Sequence, residues 1–189
     1  MSPARSCMSP VDPVTEAEAE REVRRSFANL DELAAAAGQH LGRSAWREIT
    51  QEQIDRFADA TGDHQWIHVN PEAARSGPFG TTIGHGYLTL SLVPVFLEEV
   101  YEVGGLAMGV NYGCNKVRFP APVPVGSRVR GSVDLVRAVP FGTRPDAGIQ
   151  VELRVTIERE GTEKPACVAH TLAVLFPAVT DELLVSSGS

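Results

Sequence analysis

No stretch of this chain is long and apolar enough to cross a membrane, because Pro94, Glu98 and Glu99 interrupt the longest candidate. The N-terminus lacks the apolar core of a secretory leader, so none is expected. Cysteine is scarce. The three thiols, Cys7, Cys114 and Cys167, show neither metal nor disulfide spacing, and an odd, scattered set fits a reducing compartment. The expected location is cytoplasmic. Positive charge is also in short supply, with 17 Lys and Arg against 24 Asp and Glu and a net charge of -7. That balance disfavours a nucleic-acid partner, whose phosphates call for a basic surface. Internal repeats are absent too.

What is present suits an ordinary globular protein. A chain of 189 residues, 43% hydrophobic and 22% charged, can bury a sizeable core as one domain with an extension. Residues 1–15 carry Pro3, Pro10 and Pro13 and read as a disordered tail. Residues 16–25 have acids early and bases late, as a helix dipole prefers, and predict a peripheral helix. With a short helical piece over 31–37, they make 16–43 an N-terminal helical extension. The main domain is expected over 44–180 and a C-terminal tail over 181–189.

Within the domain, residues 44–49 predict a short strand. Thr50 and Gln53 form a capping box, and Ile54, Phe57 and Ala58 give the helix that follows an inner face. Thr61 and Gly62 end that helix, leaving 63–69 as loop, and Asn70-Pro71 opens another short helix. From Gly86, apolar residues on nearly every side predict a buried helix, kinked at Pro94, which frees the carbonyl of Leu90. Strands are expected over 110–119, 126–136, 151–157 and 166–176, with a proline-containing loop over 140–148. This order predicts an α+β fold, an antiparallel sheet wrapped around one long helix.

The chemistry concentrates in residues 62–71, Gly-Asp-His-Gln-Trp-Ile-His-Val-Asn-Pro, and in Ile83-Gly84-His85-Gly86. Asp63 and His68 offer a carboxylate and an imidazole able to share one water. A glycine-flanked helix start follows, whose free amides can hold a developing oxyanion. Either residue could instead serve structure alone, Asp63 as a turn carboxylate and His68 as a buried imidazole bonded to a carbonyl. A metal site using His64 and His68 would need a helix to align them, and Gly62 and Pro71 argue for loop. No metal is expected. His85 is expected to orient the loop rather than move protons, and Ser91 to bond a preceding carbonyl. His170 reads as a cross-strand neighbour. Lys116 and Arg118 could hold coenzyme A phosphates, although alternating charges usually mark a solvated strand face.

Asp63-x-x-x-x-His68, Phe79 and Ile83-Gly84-His85-Gly86 together resemble the hydratase motif of the MaoC-like dehydratases, the (R)-specific enoyl-CoA hydratases of the hot-dog fold. The variant Gly-Asp-His-Gln-Trp-Ile-His is most similar to their nodulation-protein-N-like branch. The resemblance runs over residues 49–176, including Val117-Arg118-Phe119-Pro120-Ala121-Pro122-Val123. It implies that Asp63 and His68 form a catalytic dyad and that the backbone amide of Gly86 holds the thioester carbonyl. It implies reversible hydration of a trans-2-enoyl-CoA to the (R)-3-hydroxyacyl thioester in fatty-acid metabolism, without a cofactor, by a homodimer. Asn70 stands where many members carry aspartate, and asparagine caps a helix about as well. Gln65-Trp66 replaces an asparagine-proline pair found in many members, a change of loop shape that leaves the acid and base in place. The alternatives are a hot-dog acyl-CoA thioesterase and a non-catalytic acyl-CoA-binding subunit; the fold alone does not choose.

Overall fold

The structure, a computed structural model, describes residues 22–143 and 147–178. The tails expected at 1–15 and 181–189 lie outside these residues. In chain order the elements are β1 (Arg25–Phe27), α1 (Leu30–Ala35), β2 (His40–Arg43), β3 (Arg47–Glu48), α2 (Gln51–Thr61), α3 (Trp66–Val69), α4 (Pro71–Arg75), α5 (Gly86–Ser91), α6 (Val93–Val100), β4 (Tyr101–Val103), β5 (Leu106–Arg118), β6 (Arg128–Phe141), β7 (Gly148–Arg159) and β8 (Cys167–Pro177). The main sheet is antiparallel in the order β2-β6-β7-β8-β5, with β3 also on β6. No helix among the described residues is long and apolar enough to cross a membrane.

Alternation drives the sheet. Val129, Val133, Leu135, Val151, Val155 and Ile157 turn one face inward and are fully buried. Against that face packs α6, whose Phe96 lies over Gly131. A Cβ at Gly131 would come within 2.7 Å of Phe96, so only a residue without a side chain lets helix and sheet meet this closely.

The helical region behaves as its local signals require. Thr50 and Gln53 close the capping box on α2, and Gly62 ends it in the left-handed conformation, φ 79°. Asn70 accepts from the Ala73 amide at 3.0 Å and starts α4, with Pro71 in its first turn. The long helix is broken at Leu92 into α5 and α6, beside Pro94.

Four expectations need correction. The segment 16–43 is not a uniformly helical extension: Arg25–Phe27 pairs with Tyr101–Val103, and His40–Arg43 is an edge strand of the main sheet, so the sheet domain begins before residue 44. The part of the expected 16–25 helix before residue 22 lies outside the described residues. Residues 66–69 form one helical turn rather than open loop. β6 continues through Pro140, opposite Ile149, beyond the stretch where β2 and β3 flank it, so an edge without an amide is tolerated there. Finally, the long helix is buried on one side only. Val93, Phe96 and Val100 are covered, whereas Tyr87 is 72% exposed. Strand β5 is likewise open, with Leu106, Met108, Val110 and Tyr112 at the surface and no strand on its outer edge among the described residues.

Candidate active site

Asp63 stands one residue past the left-handed end of α2. Its Oδ1 accepts the Gln65 amide at 3.4 Å, a local turn that steadies the side chain, while the carboxylate stays 55% exposed. His68 sits in the turn α3 and is buried at 7% exposure. Its Nδ1 meets the Ile83 carbonyl at 2.7 Å. A carbonyl only accepts, so Nδ1 carries the proton and Nε2 keeps a free lone pair. Gln51 supports the same turn, donating to the His68 carbonyl at 2.8 Å and accepting from the Thr82 hydroxyl at 2.6 Å.

Burial, above all, pushes the His68 imidazole below its ordinary titration range. The Ile83 carbonyl works against that shift and the neighbouring His85 adds to it. His68 is therefore a neutral base at neutral pH. Should it be the proton acceptor, the acid limb of kcat/KM will lie below the ordinary histidine value of about 6.5. A pH profile with its acid limb above that value would exclude His68 from the role.

Asp63, His68 and His85 come together, each offering an atom within 4.8 Å of the others. Asp63 and His68 make no direct ion pair, and that gap suits a bridging water, since two hydrogen bonds of about 2.8 Å at a tetrahedral angle span about 4.5 Å. The trio has the composition of a metal site, but its rings are stacked, with centroids 3.8 Å apart and planes 25° from parallel. An ion bound by two imidazoles lies near both ring planes, which such a stack does not offer. His64 takes no part in the cluster; it is exposed and pairs with Asp59 at 3.0 Å.

Gly86 opens α5, and no side chain caps that end. Its amide faces forward from the first turn, where helix geometry provides no carbonyl partner. The Phe119 ring closes over it: a Cβ on Gly86 would lie 3.1 Å from the ring. Of the other expected residues, Ser91 bonds the Leu88 carbonyl at 2.7 Å and His170 on β8 meets the Glu152 carboxylate of the neighbouring β7 at 3.1 Å. Lys116 and Arg118 are on the exposed strand β5. Phe79 is 42% exposed.

A helix seated on one face of an antiparallel sheet, with the Asp63, His68 and His85 cluster at the helix start, is a hot-dog fold. Its overall shape is similar to the monoamine oxidase regulatory protein of Archaeoglobus, with a TM-score of 0.65 and 22% identity, covering 84% of this chain and all of that one. Residues 32–157 match the MaoC like domain. The 3-hydroxyacyl-thioester dehydratase Z of Mycobacterium tuberculosis is 54% identical over 148 residues, 78% of this chain and 96% of that protein. Nodulation protein N of Rhizobium leguminosarum is 42% identical over 149 residues, 78% and 91% of the two chains. The chain belongs to the MaoC-like dehydratase family.

Proposed function

We propose that this chain is a hydro-lyase that adds water reversibly to a trans-2-enoyl thioester, giving the (R)-3-hydroxyacyl thioester of fatty-acid metabolism. The observation that carries this reading is a buried neutral imidazole with a free Nε2, a water's width from the Asp63 carboxylate, beside an uncapped helix start. The hydroxyl of the bound water bonds to C3 and its proton ends on C2. Charge that builds on the thioester oxygen meets the amide of Gly86, stabilised by the helix start. Asp63 and His68 hold the water and carry its proton between them. The thioester itself supplies the electronic activation, so no cofactor enters the scheme.

Two supporting proposals accompany the activity. The working unit is a homodimer, because among the described residues β5 leaves both a free edge and the apolar residues Leu106, Met108, Val110 and Tyr112 uncovered. Light scattering at micromolar concentration should give twice the chain mass; a fully active monomer would refute it. The protein works in the cytoplasm, in keeping with its scattered free thiols.

The activity is tested by following the ultraviolet band of an enoyl-thioester conjugate, with short and long acyl chains, and then resolving the product enantiomers. Loss of the band with an (R)-3-hydroxy product supports the reading. Release of free thiol would instead establish a thioesterase, and binding without turnover a non-catalytic subunit.

A further inference from the structure

His85 is the most completely enclosed titratable side chain at the site, with 2% of its surface exposed. It lies between Gly84 and Gly86, which have no side chains of their own to compete for the space. Its ring is held on two sides. One face stacks on His68, and the Phe57 ring of α2 approaches with centroids 5.0 Å apart. Nε2 is 2.9 Å from the main-chain carbonyl of Asp63 and 3.9 Å from that residue's Oδ2. The carbonyl accepts, so Nε2 carries the proton. Nδ1 is buried with no hydrogen-bond partner among the described residues.

A buried imidazole nitrogen left without a partner costs stability, and a hydrophobic side chain would fill the space without that cost. Something other than packing accounts for a histidine here. What His85 touches is the dyad: the backbone of one member and the ring of the other. We propose that His85 is a positioning residue of the hydration reaction, one that fixes Asp63 through the main chain and fixes the plane of His68 by stacking, so that carboxylate and imidazole converge on one water. This rests on the hydratase reading above.

The same contact bears on His68. With the rings 3.8 Å apart, the His85 imidazole adds to the burial that pushes the His68 imidazole below its ordinary range. The Asp63 carboxylate also faces His85, and the uncharged Phe57 ring approaches it from α2.

Two variants separate the contributions. His85→Phe keeps an aromatic ring against His68 and removes the N–H that reaches Asp63. It is expected to lower kcat by about 10- to 100-fold, the usual consequence of a reacting group displaced by a fraction of an ångström, with KM within about twofold. His85→Gln retains an N–H for the Asp63 carbonyl and removes the imidazole stacked on His68. It should recover a large part of kcat relative to His85→Phe, and its acid limb should move to higher pH as His68 titrates without its neighbour. A residue that merely fills space would not move the pH profile. The proposal is overturned if folded His85→Phe keeps kcat within twofold of wild type, or if His85→Gln leaves the acid limb where it was. The ring-proton NMR titration of His68 in wild type and His85→Gln tests the contact without turnover: an upward shift supports it and an unchanged titration overturns it. Wild-type protein that fails to hydrate enoyl thioesters while showing the NMR shift would sink the hydratase reading and leave the His85–His68 contact standing.

Discussion

Asp63→Asn is expected to slow hydration of an enoyl thioester by roughly a hundredfold or more, and His68→Gln by a similar factor, with the fold retained in both. Asparagine keeps an Oδ1 for the Gln65 amide, so the turn after α2 survives while the charge and the proton-accepting capacity go. Glutamine at 68 can still donate toward the Ile83 carbonyl, but it has no titrating nitrogen to offer the water. Because both groups serve one water, the double variant should be far less impaired than the product of the two single effects. Thioester binding should persist in all three, since Gly86 and Phe119 are untouched. Steady-state rates together with circular dichroism decide the matter: near-wild-type turnover in either folded single variant removes that residue from the chemistry.

The largest effect on stability is expected at Phe96→Ala. This ring is fully buried between α6 and the sheet, directly above Gly131. Its removal leaves a cavity that the rigid β6–β7 pairing cannot collapse, which costs about 3–5 kcal/mol. For a chain of this size that corresponds to a Tm lower by on the order of 10 °C. The converse change, Gly131→Ala, puts a methyl where Phe96 already sits and should cost about 1–3 kcal/mol. Calorimetry of both variants tests the contact from its two sides, and an unchanged Tm in Phe96→Ala would show that the helix does not depend on it.

The parts of the fold written in short-range patterns were the parts legible in the sequence. The box at Thr50 and Gln53, the stop at Gly62, the cap at Asn70 and the break near Pro94 each depend on residues within a few positions of one another. So did the long alternating strand around Val151–Ile157, whose period needs no knowledge of its neighbours. What escaped depended on partners distant in sequence. Arg25–Phe27 is a strand because Tyr101–Val103 lies beside it, and His40–Arg43 because β6 does. The apolar helix after Gly86 read as fully buried because a pattern records how much apolar surface exists, not whether the same chain covers it. Of the candidate site, Asp63, His68 and Gly86 were singled out by the resemblance of the whole motif rather than by spacing, and the structure gathers Asp63, His68 and His85 beside the start of α5. The packing of His85 against His68 was not legible, since it depends on the return of the chain from Thr82 to Gly86 alongside α3. Its one signal was a histidine between two glycines at the head of an apolar run.

The anchoring of the dyad has a consequence for how this protein can vary. Asp63 takes its place from the end of α2, and His68 from the Ile83 carbonyl and from Gln51, while Gln65 between them bonds both through its main chain alone, its amide to Asp63 and its carbonyl to the His68 amide. Residues 64–67 are thus free to change identity without disturbing the reacting groups, and a shape-setting residue such as Trp66 can be exchanged. Its freedom has one condition. A Cβ at Gly77 would come within 2.8 Å of the Trp66 ring, so any larger residue at 77 requires the tip of that ring to move. Among related chains the two positions should therefore drift together, a large residue at 66 going most often with glycine at 77, while 63 and 68 hold still. A directed library could reshape the rim of the site through that pair alone.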